Sequence, residues 1–264
     1  MQFDFNGYFR AAGLTNPGQM RENNEDNFLI DTNAGLLVVA DGMGGHQSGE
    51  LASADAIRVM QEILAAESRQ AGRPEYPGNG PGNRTGHGRV ATAITAANDV
   101  INALNLERGY GPRDAMGTTI VGLYFQPERP MDATIFHVGD SRLYRFRDGA
   151  LDRITRDHSA YENWLEDGSK GPPPGLHILS QAIGPSDSVA PGIQQQTFRP
   201  GDIVLLCSDG LTNLVSDGDI EALLTSMDIN DLFGGCHVLV EAAQSNGGTD
   251  NITVVLGAYS GGGT

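Results

Sequence analysis

Gly35-Leu36-Leu37-Val38-Val39-Ala40-Asp41-Gly42-Met43-Gly44-Gly45 is the stretch on which the fold turns. A short apolar run bounded by glycine reads as a strand, Gly35–Ala40. Phe28–Asp31 before it reads as a second strand, with Thr32-Asn33-Ala34 as the turn of a hairpin. The run ends abruptly in Asp41, passes through a glycine-rich turn and gives way to helical spacing over 48–68, with Leu51, Ala54, Ile57, Ile63 and Leu64 on one face. Working outward, a second helix over 89–106 places Val90, Ile94, Ala97, Ile101 and Leu104 together. Strands follow at Thr118–Phe125, Ala133–Val138, Arg142–Arg147, Leu151–Ile154 and Ile203–Cys207. Helices come next at Asp217–Ser226 and Asp231–Gln244, and a last strand at Ile252–Ala258. Strands in blocks, without regular βαβ alternation, predict an α+β layered fold over a doubly wound parallel sheet. Residues 1–264 read as a single domain, with a Gly/Pro/Asn-rich flexible insertion at 71–88 and a tail at 259–264, frayed over 261–264.

The chain has 264 residues, 17 Lys+Arg against 33 Asp+Glu, and a formal net charge of −16. That balance argues against nucleic acid as the main partner and against an anionic membrane surface. No apolar run is long enough to span a bilayer, and the N-terminus carries Asp4 and no basic-then-apolar leader pattern. Two cysteines, Cys207 and Cys236, fit a reducing cytoplasm and no disulfide framework. Lys170 is the only lysine, so every other fixed side-chain cation is an arginine.

The acids fall in a pattern. Asp41 and Asp209 each end an apolar run and precede glycine, and Asp140 follows Val138-Gly139. Asp250 precedes the last strand, and Glu25-Asp26 precede Phe28. Any one of these reads as an Asp-Gly turn, as Asp148-Gly149, Asp167-Gly168 and Asp217-Gly218 do. Together they predict one sheet edge where clustered carboxylates need a cation, and all-oxygen ligation points to Mg²⁺ or Mn²⁺ over Zn²⁺.

Rival chemistries lack their residues. Six positions after Cys207 and Cys236 stand Asn213 and Ala242, so no Cys-x5-Arg phosphate loop exists. Gly139-Asp140-Ser141-Arg142-Leu143 is not a Gly-x-Ser-x-Gly elbow. Gly42-Met43-Gly44-Gly45 lacks the Gly-Lys-Ser/Thr of a nucleotide loop. His158 reads as a residue that holds a loop by hydrogen bonding.

Seven stretches in order resemble the metal-dependent protein phosphatases, the type 2C family of Ser/Thr phosphatases, in their bacterial form. They are Arg21-Glu22-Asn23-Asn24-Glu25-Asp26, Val39–His46, Gly117-Thr118-Thr119, Val138-Gly139-Asp140-Ser141-Arg142, Thr155-Arg156-Asp157-His158-Ser159, Cys207–Thr212 and Gly248–Thr253. The resemblance implies a four-layer α-β-β-α sandwich of two antiparallel sheets flanked by helices, with two or three Mn²⁺ or Mg²⁺ ions at one end. It implies that Asp41 bridges two ions, that the Gly42 carbonyl binds one, and that Asp209 and Asp250 complete the other. Asp26, with Glu25, would act through bound water. Asp140, with Asp209, would serve a third ion. Arg21 would grip the substrate phosphate, and a metal-bridged hydroxide would attack phosphorus with no phosphoenzyme. His46 is a candidate general acid for the leaving alkoxide, or else a polar cap for the helix that follows. The implied substrates are phosphoserine and phosphothreonine in proteins phosphorylated by a bacterial-type Ser/Thr kinase, and the implied state is a cytoplasmic monomer. Alternatives are a non-catalytic phosphoprotein-binding relative and a phosphatase of small phosphomonoesters. The flap expected after Asp157-His158-Ser159 is replaced by a shorter, divergent 160–175 segment, and Gln181 stands where the family usually has Arg.

Overall fold

The computed structural model describes residues 2–5, 7–44, 48–70, 85–111, 114–126, 129–175 and 177–261. In chain order the elements are β1 (Gln2–Phe5), β2 (Phe9–Asn16), β3 (Asp26–Asp31), β4 (Leu36–Met43), α1 (Ser48–Gln70), α2 (Gly86–Glu107), β5 (Gly117–Thr118), β6 (Ile120–Gln126), β7 (Arg129–Val138), β8 (Arg142–Arg147) and β9 (Ala150–Arg153). Then come α3 (Ala160–Glu166), β10 (Gly192–Thr197), β11 (Ile203–Cys207), α4 (Asp209–Thr212), α5 (Asp217–Ser226), α6 (Leu232–Ser245) and β12 (Ile252–Tyr259). One sheet runs β1-β2-β12-β11-β8-β9 and the other β10-β7-β6-β4-β3, with β5 added to β4. Their neighbouring strands pair antiparallel.

Strand alternation sorts the side chains into three apolar layers. In β4, Leu36, Val38 and Ala40 face α1 and α2, while Leu37 and Val39 face the opposite sheet. In β11, Ile203, Leu205 and Cys207 pack with α5 and α6, while Val204 and Leu206 enter the space between the sheets. That middle layer carries an aromatic cluster, with Phe9 4.9 Å from Phe125 and Phe125 6.2 Å from Phe198. Burying each such ring contributes roughly 1.5–3 kcal/mol. The expected four-layer sandwich is therefore the observed one.

The same alternation positions the functional end. Asp41 is the next inter-sheet position after Val39, and Asp26 precedes Phe28 and Ile30 on the inter-sheet face of β3. Thr253 lies two residues before Val255, another inter-sheet position. At this end the apolar seam between the sheets gives way to polar side chains.

Several boundaries differ from the sequence expectation. Helix α2 begins at Gly86, capped by the Thr85 hydroxyl accepting from the Gly88 amide, so 86–88 are helix and not insertion. Residues 71–84 lie outside the described residues. The tail reading is corrected at its start, because Tyr259 closes β12 and the Ser260 amide donates to the Tyr8 carbonyl. Residues 262–264 are outside the described set. The 160–175 segment opens with the seven-residue α3, capped by Ser159, and none of its residues is buried. Among the described residues no helix is long and apolar enough to cross a membrane.

Candidate active site

Asp26 and Asp41 are direct cross-strand partners at the end of the β3–β4 hairpin. The neighbouring residues close the hairpin end, the Gly42 amide donating to the Glu25 carbonyl at 3.2 Å. A Cβ on Gly42 would fall 2.1 Å from the Gly49 carbonyl oxygen, so glycine is required here first by the packing of β4 on α1. From the other sheet, the Ser208 hydroxyl reaches across the seam and donates to Asp26 Oδ2 at 2.7 Å. Asp209 opens the one-turn α4 immediately after Ser208.

Asp250 and Arg21 form the rim. Arg21 donates to Asp250 Oδ2 at 2.8 Å, and the arginine side chain is 54% exposed. The loop carrying them is pinned by Asn251. Its side-chain oxygen accepts from the Glu25 amide at 2.9 Å, and its side-chain nitrogen donates to the Pro17 and Asn23 carbonyls at 3.0 and 2.9 Å. On the other side, Thr119 Oγ1 accepts from the Asp41 amide at 3.1 Å and shares a 2.6 Å hydrogen bond with Ser141 Oγ, beside Asp140. Asp140 and Asp209 line one cavity of about 260 Å³ with Arg142, Asp157, Tyr161 and Asn213.

The electrostatics are those of crowded acids. Desolvation, with the charge of Asp209 adding, raises the Asp140 carboxyl to about 7. Desolvation raises Asp26 to about 6 against the opposing hydrogen bond from Ser208. Asp41 is held well above the usual carboxylate range by desolvation and then by Asp26, Asp209 and Asp140. Asp209 is raised by desolvation and then by Asp250, and Glu25 by desolvation. Asp26 Oδ1 and Asp209 Oδ1 are buried without a hydrogen-bond partner. Buried, unpartnered carboxylate oxygens among like charges are costly, and a hard divalent cation answers both deficits. The donor set fits Mg²⁺ or Mn²⁺. Among the described residues no three His, Cys, Asp or Glu side chains close on a single point, and Asp250 is held by Arg21.

The structure thus brings Glu25, Asp26, Asp41, Gly42, Asp140 and Asp209 to one end of the seam, with Arg21 and Asp250 at its edge. His46 lies outside the described residues. The sequence places Ser208, Thr119, Ser141 and Asn251 within the seven stretches but gives none of them a role of its own. For Ser141, Ser208 and Asn251 the available signal was a polar residue next to an acid that the fold then buries, whereas Thr119 has no acidic neighbour in the chain. Both cysteines are buried and unpaired, and desolvation pushes each thiol up to about 12, so neither is a ready nucleophile.

Comparison with known proteins adds independent findings. The family model described as protein phosphatase 2C matches residues 19–242. The serine/threonine protein phosphatase PstP of Mycobacterium tuberculosis is 33% identical over 94% of this chain and 44% of its own length. The chain therefore spans less than half of that relative. The serine/threonine phosphatase stp of Listeria monocytogenes is 31% identical over 93% of this chain and 94% of its own. Among solved structures, the catalytic domain of PstP in complex with two manganese ions superposes with a TM-score of 0.78 at 31% identity, covering 96% of this chain and 99% of that one.

Proposed function

The chain belongs to the protein phosphatase 2C family, and from that premise we propose that it is a divalent-metal-dependent phosphatase of phosphoserine and phosphothreonine in proteins. The reading takes 1–264 as one catalytic domain, acting as a cytoplasmic monomer against a bacterial-type Ser/Thr kinase. The observation that carries it is the pair of orphaned oxygens, Asp26 Oδ1 and Asp209 Oδ1, among acids gathered beside an exposed arginine. Asp41, Asp209, Asp250 and the Gly42 carbonyl would hold two Mn²⁺ or Mg²⁺ ions, Asp26 and Glu25 would act through water, and Asp140 with Asp209 would hold a third. When bound, the ions supply an activated water as nucleophile and neutralise charge on phosphorus oxygens, with no phosphoenzyme.

The chain's own residues do the rest. Arg21 is fixed at one nitrogen by Asp250, and among the described residues its guanidinium makes no other hydrogen bond. A planar fork anchored at one end is ready to take two phosphate oxygens at the other. Ser208 holds the Asp26 carboxylate, and Thr119 and Asn251 hold the backbone amides of Asp41 and Glu25. His46 would protonate the leaving alkoxide.

The test is phosphate release from a phosphothreonine peptide with Mn²⁺ and with chelator. Release that depends on Mn²⁺ supports the reading, and robust release in chelator sinks it. Tight phosphopeptide binding without turnover at saturating Mn²⁺ indicates the non-catalytic relative. Faster turnover of small phosphomonoesters than of phosphopeptides moves the substrate class. Under the same assay Arg21→Ala is expected to lower kcat/KM by about 10²-fold. Arg21→Lys should recover little of it, because an ammonium cannot reproduce the bidentate fork. Steady-state kinetics of the two variants checks this, and a full recovery by Lys would refute the bidentate role.

A further inference from the structure

Asp140 is held differently from Asp26, Asp209 and Asp250, whose carboxylates accept from Ser208, Asn213 and Arg21. No other residue donates a hydrogen bond to its carboxylate among the described residues, so its placement rests on the backbone of Gly139–Ser141. Gly139 has φ +101°, and a Cβ there would fall 2.6 Å from Thr119 Cγ2, so the turn admits only glycine. A glycine turn carrying a metal acid needs an external brace.

The brace is the next segment of chain. The His158 amide donates to the Gly139 carbonyl at 2.9 Å, and the Gly139 amide donates back to His158 Nδ1 at 3.4 Å. Both hydrogen-bonding groups of Gly139 are therefore met by one residue. The His158 ring stacks on His137 at 4.5 Å, and His137 Nε2 is bonded to the Arg156 carbonyl at 2.6 Å. Immediately before it, Asp157 takes Arg142 in a bidentate pair at 2.7–3.1 Å, closing the other end of the turn. Asp157 and His158 thus grip the two ends of the four-residue stretch that presents Asp140.

We propose that His158 is a positioning residue: its ring acceptor fixes the Gly139 turn so that the Asp140 carboxylate is held toward Asp209 for divalent-cation binding. The inference rests on the reading of Asp140 as a metal acid. Among the described residues the His158 side chain makes no hydrogen bond to Asp140. Its side chain acts through one backbone amide.

The test is calorimetric titration of the metal-free full chain with Mn²⁺, which reads binding and not turnover. His158→Phe keeps the stacking on His137 and removes the acceptor. His158→Asn keeps an acceptor near the Nδ1 position and removes the stacking. The expected result is about tenfold weaker Mn²⁺ binding in H158F at the site that D140A abolishes, near-native binding in H158N, and no further loss when H158F is added to D140A. An H158F isotherm equal to wild type, or the reverse order of the two variants, overturns the proposal. So does additivity in the double variant. If D140A leaves the isotherm unchanged, the metal reading of Asp140 itself fails and the proposal falls with it. If H158F does not fold, H158N decides alone, near-native binding supporting the proposal and tenfold loss overturning it.

Discussion

Asp209→Asn should abolish Mn²⁺-dependent phosphate release, by at least about 10³-fold in kcat/KM, while raising the melting temperature of the metal-free protein. The two effects have opposite signs for one reason. Asp209 is desolvated beside Asp250 and Asp41, and its Oδ1 has no partner. Removing its charge relieves like-charge repulsion in the metal-free protein and would remove a ligand from the proposed divalent-ion site. Sites built for function in this way trade stability for chemistry. Parallel assays of turnover and thermal unfolding in chelator check the pair of signs. A variant that keeps activity within tenfold, or that melts earlier when metal-free, contradicts the assignment.

The second large effect is a stability that falls as the pH rises. Asp26 titrates near 6 and Asp140 near 7 in the folded chain, against an ordinary value of 3.8. A carboxyl whose folded pKa is raised binds its proton more tightly in the native state. Its stabilising contribution is complete below about pH 4 and is lost as the pH climbs through 6 to 7. Each unit of displacement is worth about 1.4 kcal/mol, and the acids act as one coupled set, so the loss totals several kcal/mol. In chelator, the urea midpoint at pH 7 should therefore lie below that at pH 5, and Asp140→Asn should flatten the difference. With saturating Mn²⁺ the order should invert, because the cation binds only deprotonated acids. A metal-free protein that is firmer at pH 7 than at pH 5 would falsify the crowded-acid description.

Much of this was legible in the chain because the decisive residues interrupt strong patterns. Asp41 ends Leu36–Ala40 and Asp209 follows Ile203–Cys207, so an acid at each strand end stands out against the apolar run. The strands that escaped notice are those whose patterns are weak. In β10, Gly192-Ile193-Gln194-Gln195-Gln196-Thr197 is an edge strand with two exposed glutamines, and its polar composition resembles a loop. In β2, Arg10 and Gly13 break the alternation, and Gly13 is there because a Cβ would strike the Phe28 ring. The short α4 and α3 offer too few residues for a helical period to register. The roles of Ser208 and Asn251, both within quoted stretches, were hidden for a different reason. Their partners lie 182 and 226 residues away, and no local pattern reports a bond made only when the sheets meet.

The placement of β2 beside β12 sets the order in which this molecule can be completed. A ribosome makes β2 long before β12, yet their register runs the full strand, from Phe9↔Tyr259 to Asn16↔Ile252. Until β12 emerges, β2 has only the short β1 hairpin for company in its sheet and exposes a bare edge. Pairings this distant form slowly, since the chain must close a long loop before any contact rewards it. The Arg21–Asp250 ion pair, 229 residues apart, forms within the same closure. The acid-lined end of the seam, with Asp250 beside β12, is thus complete only once β12 has docked.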